Sequence, residues 1–275
     1  MSPAARAEPR SLAPPELRSV AVCDNVRLGA YRLITASEAE AVAVPQPGQF
    51  YMLSSAERWG GGADERPYLP RAFSHARARD GQLSFLMEVI GPGTERLGQL
   101  PAGERLDLVG PLGVGWRPRR SATRPLLVGG GIGTAPLLCL QDELGPEACV
   151  LLGFRSAAHA EAASLFSGEP EVATDDGSAG RHALVTDLLT EHLDRDAAAT
   201  VFACGPPGML EAVRRLCADR GVPAQLALES GMACGFGACF GCVVPTKSGY
   251  IRLCLEGPVL DAEQLESAVF PGAGH

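Results

Sequence analysis

Nowhere in the 275 residues does an apolar run approach the roughly 20 residues that a bilayer-spanning helix requires, and the chain reads as non-membrane. A basic face is missing too. The net charge is −8, from 24 Lys and Arg against 32 Asp and Glu, which excludes a nucleic-acid binder and favours solubility. Residues 1–15 contain Arg6, Arg10 and several prolines but no continuous apolar core, so residues 1–17 read as a disordered tail rather than a secretory signal. There is no internal repeat and no nucleophile–base constellation. His75, His159, His182, His192 and His275 are scattered and read as ordinary surface or core residues. What remains is a globular balance, 46% apolar and 20% charged, long enough for two domains and a small appendage.

Cysteine is the residue present in excess. Nine occur, and without an export signal they read as reduced thiols of a cytoplasmic protein. Cys23, Cys139, Cys149, Cys204 and Cys217 are dispersed and read as small buried apolar residues. The other four are not dispersed. Cys234-Gly-Phe-Gly-Ala-Cys239-Phe-Gly-Cys242 is C-x4-C-x2-C, and Cys254 follows after eleven intervening residues. That is the plant-type spacing of a [2Fe–2S] cluster, whose irons need thiolate ligands. Gly235, Gly237, Ala238 and Gly241 are small enough to let the loop wrap an inorganic core and turn backbone N–H groups toward sulfur. Structural zinc is the alternative. Zinc ribbons present two C-x2-C pairs, whereas Cys239 and Cys242 form the sole such pair here.

The texture of the chain changes once before that loop. Residues 18–121 hold short alternating apolar runs, such as 31–34, 49–53 and 83–89, split by turns at Pro47-Gly48, Asp80-Gly81 and residues 101–103. They predict an antiparallel barrel or sandwich, read here as a β-barrel domain. Residues 122–222 alternate strand patterns (126–128, 148–154, 199–204) with helical ones (137–144, 183–193, 209–220), which predicts a doubly wound parallel α/β domain. Residues 223–275 are loop-rich, hold the cysteine motif and are too short to bury much alone.

Gly129-Gly130-Gly131-Ile132-Gly133-Thr134-Ala135-Pro136 follows a strand and opens a helix, as a phosphate-cradling turn must. Thr134 suits the helix cap and Pro136 its first turn. A tight strand–helix connection would look similar. Cys204-Gly205-Pro206 again joins a strand end to a helix start, where open α/β sheets bind ligands. Asp175 and Asp176, at a strand end, are candidates for ribose hydroxyls, while Arg155-Ser156 would welcome a 2′-phosphate. In the barrel segment, Arg71-Ala72-Phe73-Ser74 offers a cation for a pyrophosphate, a ring for stacking and a hydroxyl for a flavin nitrogen. Gly93-Thr94, before a short helix, is a second pyrophosphate seat.

These pieces occur in a known order. Arg71–Ser74, Gly93-Thr94, Gly110-Pro111-Leu112-Gly113, Gly129–Pro136 and Cys204-Gly205-Pro206 resemble the ferredoxin–NADP reductase superfamily. Adding Met232–Cys242 and Cys254-Leu255-Glu256-Gly257-Pro258-Val259, the chain resembles one branch, the electron-transfer subunit of NAD-dependent, class 1B dihydroorotate dehydrogenase. The resemblance implies a β-barrel plus α/β architecture with a small C-terminal [2Fe–2S] loop domain. It implies FAD on Arg71, Ala72, Phe73, Ser74, Leu86, Met87, Glu88, Gly93 and Thr94. NAD falls on Gly131, Gly133, Thr134, Cys204, Gly205 and Pro206, and the cluster on Cys234, Cys239, Cys242 and Cys254. Electrons would run from the FMN of a catalytic subunit through cluster and FAD to NAD⁺, in a heterotetramer serving pyrimidine biosynthesis. Ala72, where the branch has proline, and Glu88, where a basic residue is expected, depart from the pattern. Two alternatives share part of these features: the small FAD/[2Fe–2S] subunit of another multi-subunit oxidoreductase, such as a bifurcating ferredoxin:NADP reductase or hydrogenase diaphorase, and a zinc-stabilised nucleotide sensor.

Overall fold

The computed structural model of the protein describes residues 15–37, 44–55, 57, 59, 69–118 and 123–274. Most of the proposed tail, with Arg6 and Arg10, and His275 lie outside these. The strand pattern begins earlier than expected, because Glu16 and Leu17 already pair with Gly110 and Val109.

Seven antiparallel strands form the first sheet: β1 (Glu16–Leu28), β2 (Tyr31–Ser37), β3 (Phe50–Ser55), β4 (Arg71–Ser74), β5 (Arg77–Arg79), β6 (Gln82–Glu88) and β7 (Arg105–Leu112). Their spatial order is β4-β3-β7-β1-β2-β6-β5. The two edge strands, β4 and β5, are consecutive in the chain, so the sheet curls until its edges meet at His75-Ala76 and makes a half-barrel. Alternation explains the register: in β7, Leu106 and Leu108 point into the barrel core while Arg105 and Asp107 point out. β3 is buried on both faces instead. Tyr51 and Leu53 fill the barrel core, while Phe50 and Met52 pack against the second core, which also holds Cys242 and Cys254. The continuous apolar run at 50–53 therefore marks the strand shared between the barrel and the rest of the molecule. A short helix, α1 (Pro92–Gly98), follows β6.

The second sheet has the order β11-β10-β9-β8-β12-β13-β16. Its parallel strands are β8 (Arg124–Gly130), β9 (Cys149–Phe154), β10 (Glu171–Thr174), β11 (Arg181–His182), β12 (Ala199–Cys204) and β13 (Ala224–Ala227). Helices α2 (Ala135–Leu144), α3 (Ala157–Ala160), α4 (Val185–Arg195) and α5 (Pro207–Arg220) connect or flank them. The chain runs outward from β8 through β9 to β11, then returns to β12 on the other side. The order thus switches between β8 and β12, the place where doubly wound sheets open a crevice at their carboxyl ends. Beyond residue 223 the chain makes a hairpin of β14 (Val243–Thr246) and β15 (Gly249–Arg252), one helical turn, α6 (Leu253–Glu256), and β16 (Val259–Asp261). β13 extends the parallel sheet and β16 closes it antiparallel, so the cysteine segment borrows a core it is too short to build.

Among the dispersed cysteines, Cys139, Cys204 and Cys217 are buried, and burial pushes the Cys139 and Cys217 thiols up to about 12. Cys149 is half-buried; Cys23 differs from expectation in lying exposed on β1. His75 is 1% exposed and its Nδ1–H donates to the Gln49 carbonyl at 3.0 Å. Burial lowers its imidazole from 6.5 to about 4, against the pull of that hydrogen bond. The unfolded chain therefore binds the extra proton first, and stability falls as pH drops from 6.5 through 4, by on the order of 3 kcal/mol for this group. His75→Gln is expected to flatten urea-unfolding midpoints across that window. An unchanged pH slope would assign the acid sensitivity elsewhere.

Candidate functional site

Two joined cavities lie along the seam between the sheets. The larger, about 670 Å³, is lined by Arg71, Ala72, Phe73 and Ser74 of β4, by Leu86 and Glu88 of β6, and by Gly93 and Thr94 of α1. Met87 faces away: strand alternation sends it into the barrel core, where it is fully buried. Arg71 explains Gly93, since a Cβ there would lie 2.7 Å from the guanidinium Nε. Thr94 does not precede the helix but sits in its first turn. Its hydroxyl accepts from the Ile90 and Gly91 N–H groups at 2.9 and 3.1 Å and donates to the Gly91 carbonyl, so Thr94 lines the cavity while its hydroxyl ties the turn.

The smaller cavity, about 480 Å³, opens at the switch point and is lined by Gly130, Gly131, Gly133, Gly205, Pro206 and Asp175 among others. The glycine loop and the Cys204-Gly205-Pro206 turn, 70 residues apart in the chain, interlock. A Cβ on Gly133 would fall 2.6 Å from the Cys204 carbonyl and the Gly205 Cα, and one on Gly130 would fall 2.5 Å from Met209 Sδ. Cys204 itself is buried, with burial raising its thiol well above the usual range, and it supports the loop from behind. Thr134 makes no cap hydrogen bond, because it already has helical backbone angles at the end of a 3₁₀ turn (Gly131–Thr134), and its buried hydroxyl has no partner. Of the two aspartates, Asp176 is consumed locally: its Oδ1 accepts from the Ser178 N–H and hydroxyl at 2.9 and 2.6 Å. Asp175, whose N–H donates to the Phe154 carbonyl, faces the cavity. Arg155 lies 3.7 Å and His159 3.5 Å from the Glu88 carboxylate, so Glu88 faces the Arg155 guanidinium and the His159 ring at the mouth.

Two residues here carry no signature in the sequence. Glu229 lines both cavities where they meet, and burial raises its carboxyl above the usual range. Tyr31, from the barrel, reaches the dinucleotide-type loop. Its buried hydroxyl has no partner, burial raises its pKa, and its ring stands edge-on to His159. Tyr31 lies far along the chain from the glycine loop it reaches, and Glu229 lies just before Met232 and Cys234.

Met232 and Pro258 close the larger cavity on the side of the cysteine loop. Gly235 and Gly237 take φ of +80° and +86°; a Cβ on Gly235 would meet Met52 at 2.5 Å, and one on Gly237 would meet Leu255 at 2.6 Å. The loop is thereby pressed onto β3. The Cys234 thiol interacts with Cys239, and the Cys254 thiol with both Cys242 and Cys234, so the cysteines of this loop face one another. Backbone donors point at sulfur as the small residues suggest: Gly241 N–H to Cys239 Sγ and Cys254 N–H to Cys242 Sγ, both 3.4 Å. Burial raises the Cys234 thiol, but the N–H groups of Cys239, Phe236 and Ala238 outweigh it and bring it to about 7. Burial and then Cys242 push Cys254 up to about 12. Thiols that interact in this way cannot all ionise without compensating cations. Among the described residues, the only Cys/His/Asp/Glu trio whose ligand atoms lie within 4.8 Å of one another is Cys149, Glu171 and His192, so no three cluster sulfurs crowd a single ion. The donor set fits a two-iron core. The two cavities, within the range that encloses cofactors, fit a flavin and a dinucleotide.

A curled antiparallel sheet that shares a crevice with a parallel nucleotide-type sheet defines a protein of the ferredoxin–NADP reductase fold, here with a cysteine loop added. The solved structure of an NADH-dependent reduced ferredoxin-NADP oxidoreductase, described for flavin-based electron bifurcation, superposes with a TM-score of 0.76 over 90% of each chain at 23% identity, a likeness of fold. The family model for the iron–sulfur cluster binding domain of dihydroorotate dehydrogenase B matches residues 229–266. The dihydroorotate dehydrogenase B (NAD(+)) electron transfer subunit of Clostridium acetobutylicum is 35% identical over 249 residues, spanning 89% of this chain and 95% of the relative. That of Bacillus caldolyticus is 39% identical over 233 residues, spanning 80% and 86%. The chain belongs to the family of dihydroorotate dehydrogenase B electron transfer subunits, components of an oxidoreductase. No helix among the described residues is long and apolar enough to cross a membrane.

Proposed function

We propose that this chain carries electrons between a dihydroorotate-oxidising, FMN-containing catalytic subunit and NAD⁺, in the cytoplasm. The observation that carries the reading is the cysteine loop itself, whose backbone donors at Gly241 and Cys254 point at the Cys239 and Cys242 sulfurs beside the cavity that Met232 closes. Arg71, Phe73, Ser74 and the α1 turn at Gly93 would hold FAD. Gly131, Gly133, Gly205 and Pro206 would hold NAD, and the four cysteines a [2Fe–2S] cluster. The working division is a barrel over 18–121, an α/β unit over 122–222 and a cluster-binding segment over 223–275 that lends β13 and β16 to the parallel sheet. Bound there, a flavin supplies exchange between hydride and single-electron traffic, which a dinucleotide and an iron–sulfur cluster cannot make directly.

The residues divide the remaining work. Arg71 supplies a fixed cation for a pyrophosphate, and the glycine loop supplies close backbone approach. Glu229 presents a carboxyl at the junction of the cavities. Asp175 selects the dinucleotide: its carboxylate accepts from ribose hydroxyls and repels a 2′-phosphate. Asp175→Ser is expected to raise NADPH over NADH use about tenfold. An unaltered ratio would remove Asp175 from the specificity role.

The test of the whole reading is anaerobic purification with metal, sulfide and flavin analysis. About two irons, two sulfides and one FAD per chain are expected. Zinc without sulfide or flavin would sink it.

A further inference from the structure

β15 ends at Arg252, two residues before Cys254. This half-buried side chain touches both ligand-bearing turns of the cysteine loop. Its Nη1–H donates to the Gly237 carbonyl at 3.0 Å, in the turn between Cys234 and Cys239. Its guanidinium carbon lies 5.0 Å from the centroid of the Phe240 ring, in the turn between Cys239 and Cys242. The Arg252 backbone N–H donates to the Glu256 carboxylate at 2.9 Å, which anchors the residue from which the guanidinium reaches out.

Phe240 makes the arrangement informative. Its φ is +60°, in the left-handed region, where a residue with a Cβ is disfavoured. Gly235 and Gly237 meet the same demand with glycine. At 240 the chain keeps a large aromatic ring that is 62% exposed, where glycine would relieve the backbone and spare water the apolar surface. Burial does not account for that ring. The guanidinium stacked on it does, because a planar cation and an aromatic face attract.

Charge gives the contact a second consequence. Four thiolates around two irons and two sulfides are net negative, and accepting one electron makes them more so. A guanidinium stays protonated at any working pH, so its charge beside the loop favours the reduced state.

We propose that Arg252 is a positioning residue for the iron–sulfur cluster: it clamps the two turns through Gly237 and Phe240, and its fixed charge raises the reduction potential. This rests on the reading that Cys234, Cys239, Cys242 and Cys254 hold a [2Fe–2S] core.

The holoprotein tests it with two readouts, an EPR-monitored redox titration and the rate of iron release to a chelator. In Arg252→Gln, the ratio of reduced to oxidised cluster at the wild-type midpoint is expected to fall about tenfold. Iron release should quicken by about the same factor. Arg252→Lys keeps the charge but not the planar fork, so its midpoint should stay near wild type while iron release quickens. Phe240→Leu keeps the arginine and removes the ring, and it should quicken release without moving the midpoint. A wild-type midpoint in Arg252→Gln, or an equal fall in Arg252→Lys, overturns the charge effect. Wild-type release rates in Arg252→Gln and Phe240→Leu overturn the clamp. Should Arg252→Gln take up no cluster, Arg252→Lys and Phe240→Leu decide by the same criteria. A wild-type chain that takes up no iron overturns the cluster reading itself, and the proposal with it.

Discussion

In a Cys239→Ser variant, dihydroorotate-driven NAD⁺ reduction with the catalytic subunit is expected to fall on the order of a hundredfold or more. NADH-driven ferricyanide reduction by the same preparation should persist. Serine is a poor substitute because a hydroxyl gives up its proton far less readily than a thiol and offers iron a hard oxygen donor. Cys239 is the exposed cysteine of the four, and its sulfur accepts the Gly241 N–H, so serine there removes a thiolate donor that the loop backbone is arranged around. The dinucleotide-type loop stands on β8 and the flavin-type cavity on β4, β6 and α1, elements that do not depend on that sulfur. Normal turnover with the partner in this variant would show that electrons take another route.

Arg71→Ala should weaken FAD retention by about 10- to 100-fold, the worth of charge-assisted hydrogen bonds from a guanidinium to a pyrophosphate. The geometry singles out this arginine. It lies against Gly93, its Nη1 donates to the Leu69 carbonyl at 2.5 Å, and its guanidinium carbon sits 5.9 Å from the Trp59 ring centroid, so its head is held at the cavity wall. Arg71→Lys should recover part of the loss, since charge survives without the fork. Flavin titration of the apoprotein and gel filtration of the loaded protein measure both effects. Full retention by the alanine variant would mean that the pyrophosphate lies elsewhere.

How far the site could be read in advance depended on sequence separation. Arg71–Ser74 form a single strand, and all four line one cavity, because β4 is short and lies at the sheet edge, open to the seam. Leu86 and Glu88 share a face by the two-residue period, and the same period removes Met87. In the sequence Thr94 reads as part of a pyrophosphate seat and Thr134 as a helix cap. One closes its own helical turn and the other is buried without a partner, outcomes set by backbone angles that a residue type does not report. Glu229 and Tyr31 are single residues in unremarkable strings, and they matter because the fold carries them to where the two cavities meet and to the glycine loop.

By itself, the amino-acid sequence determined the spacing of the four cysteines, the order of an antiparallel barrel-type sheet followed by an α/β unit, and the glycine turn at the end of β8. Each of these is a matter of spacing along one stretch of chain, where loop reach and strand or helix period act locally. Tertiary structure alone decided that Asp175 and not Asp176 faces the cavity, and that the glycine loop and the Cys204 turn interlock. It also decided that the cysteine segment completes the parallel sheet, and that Arg252 reaches across both turns of the cysteine loop. Those outcomes depend on side-chain direction and on close packing between segments distant in sequence, and neither has a period to read.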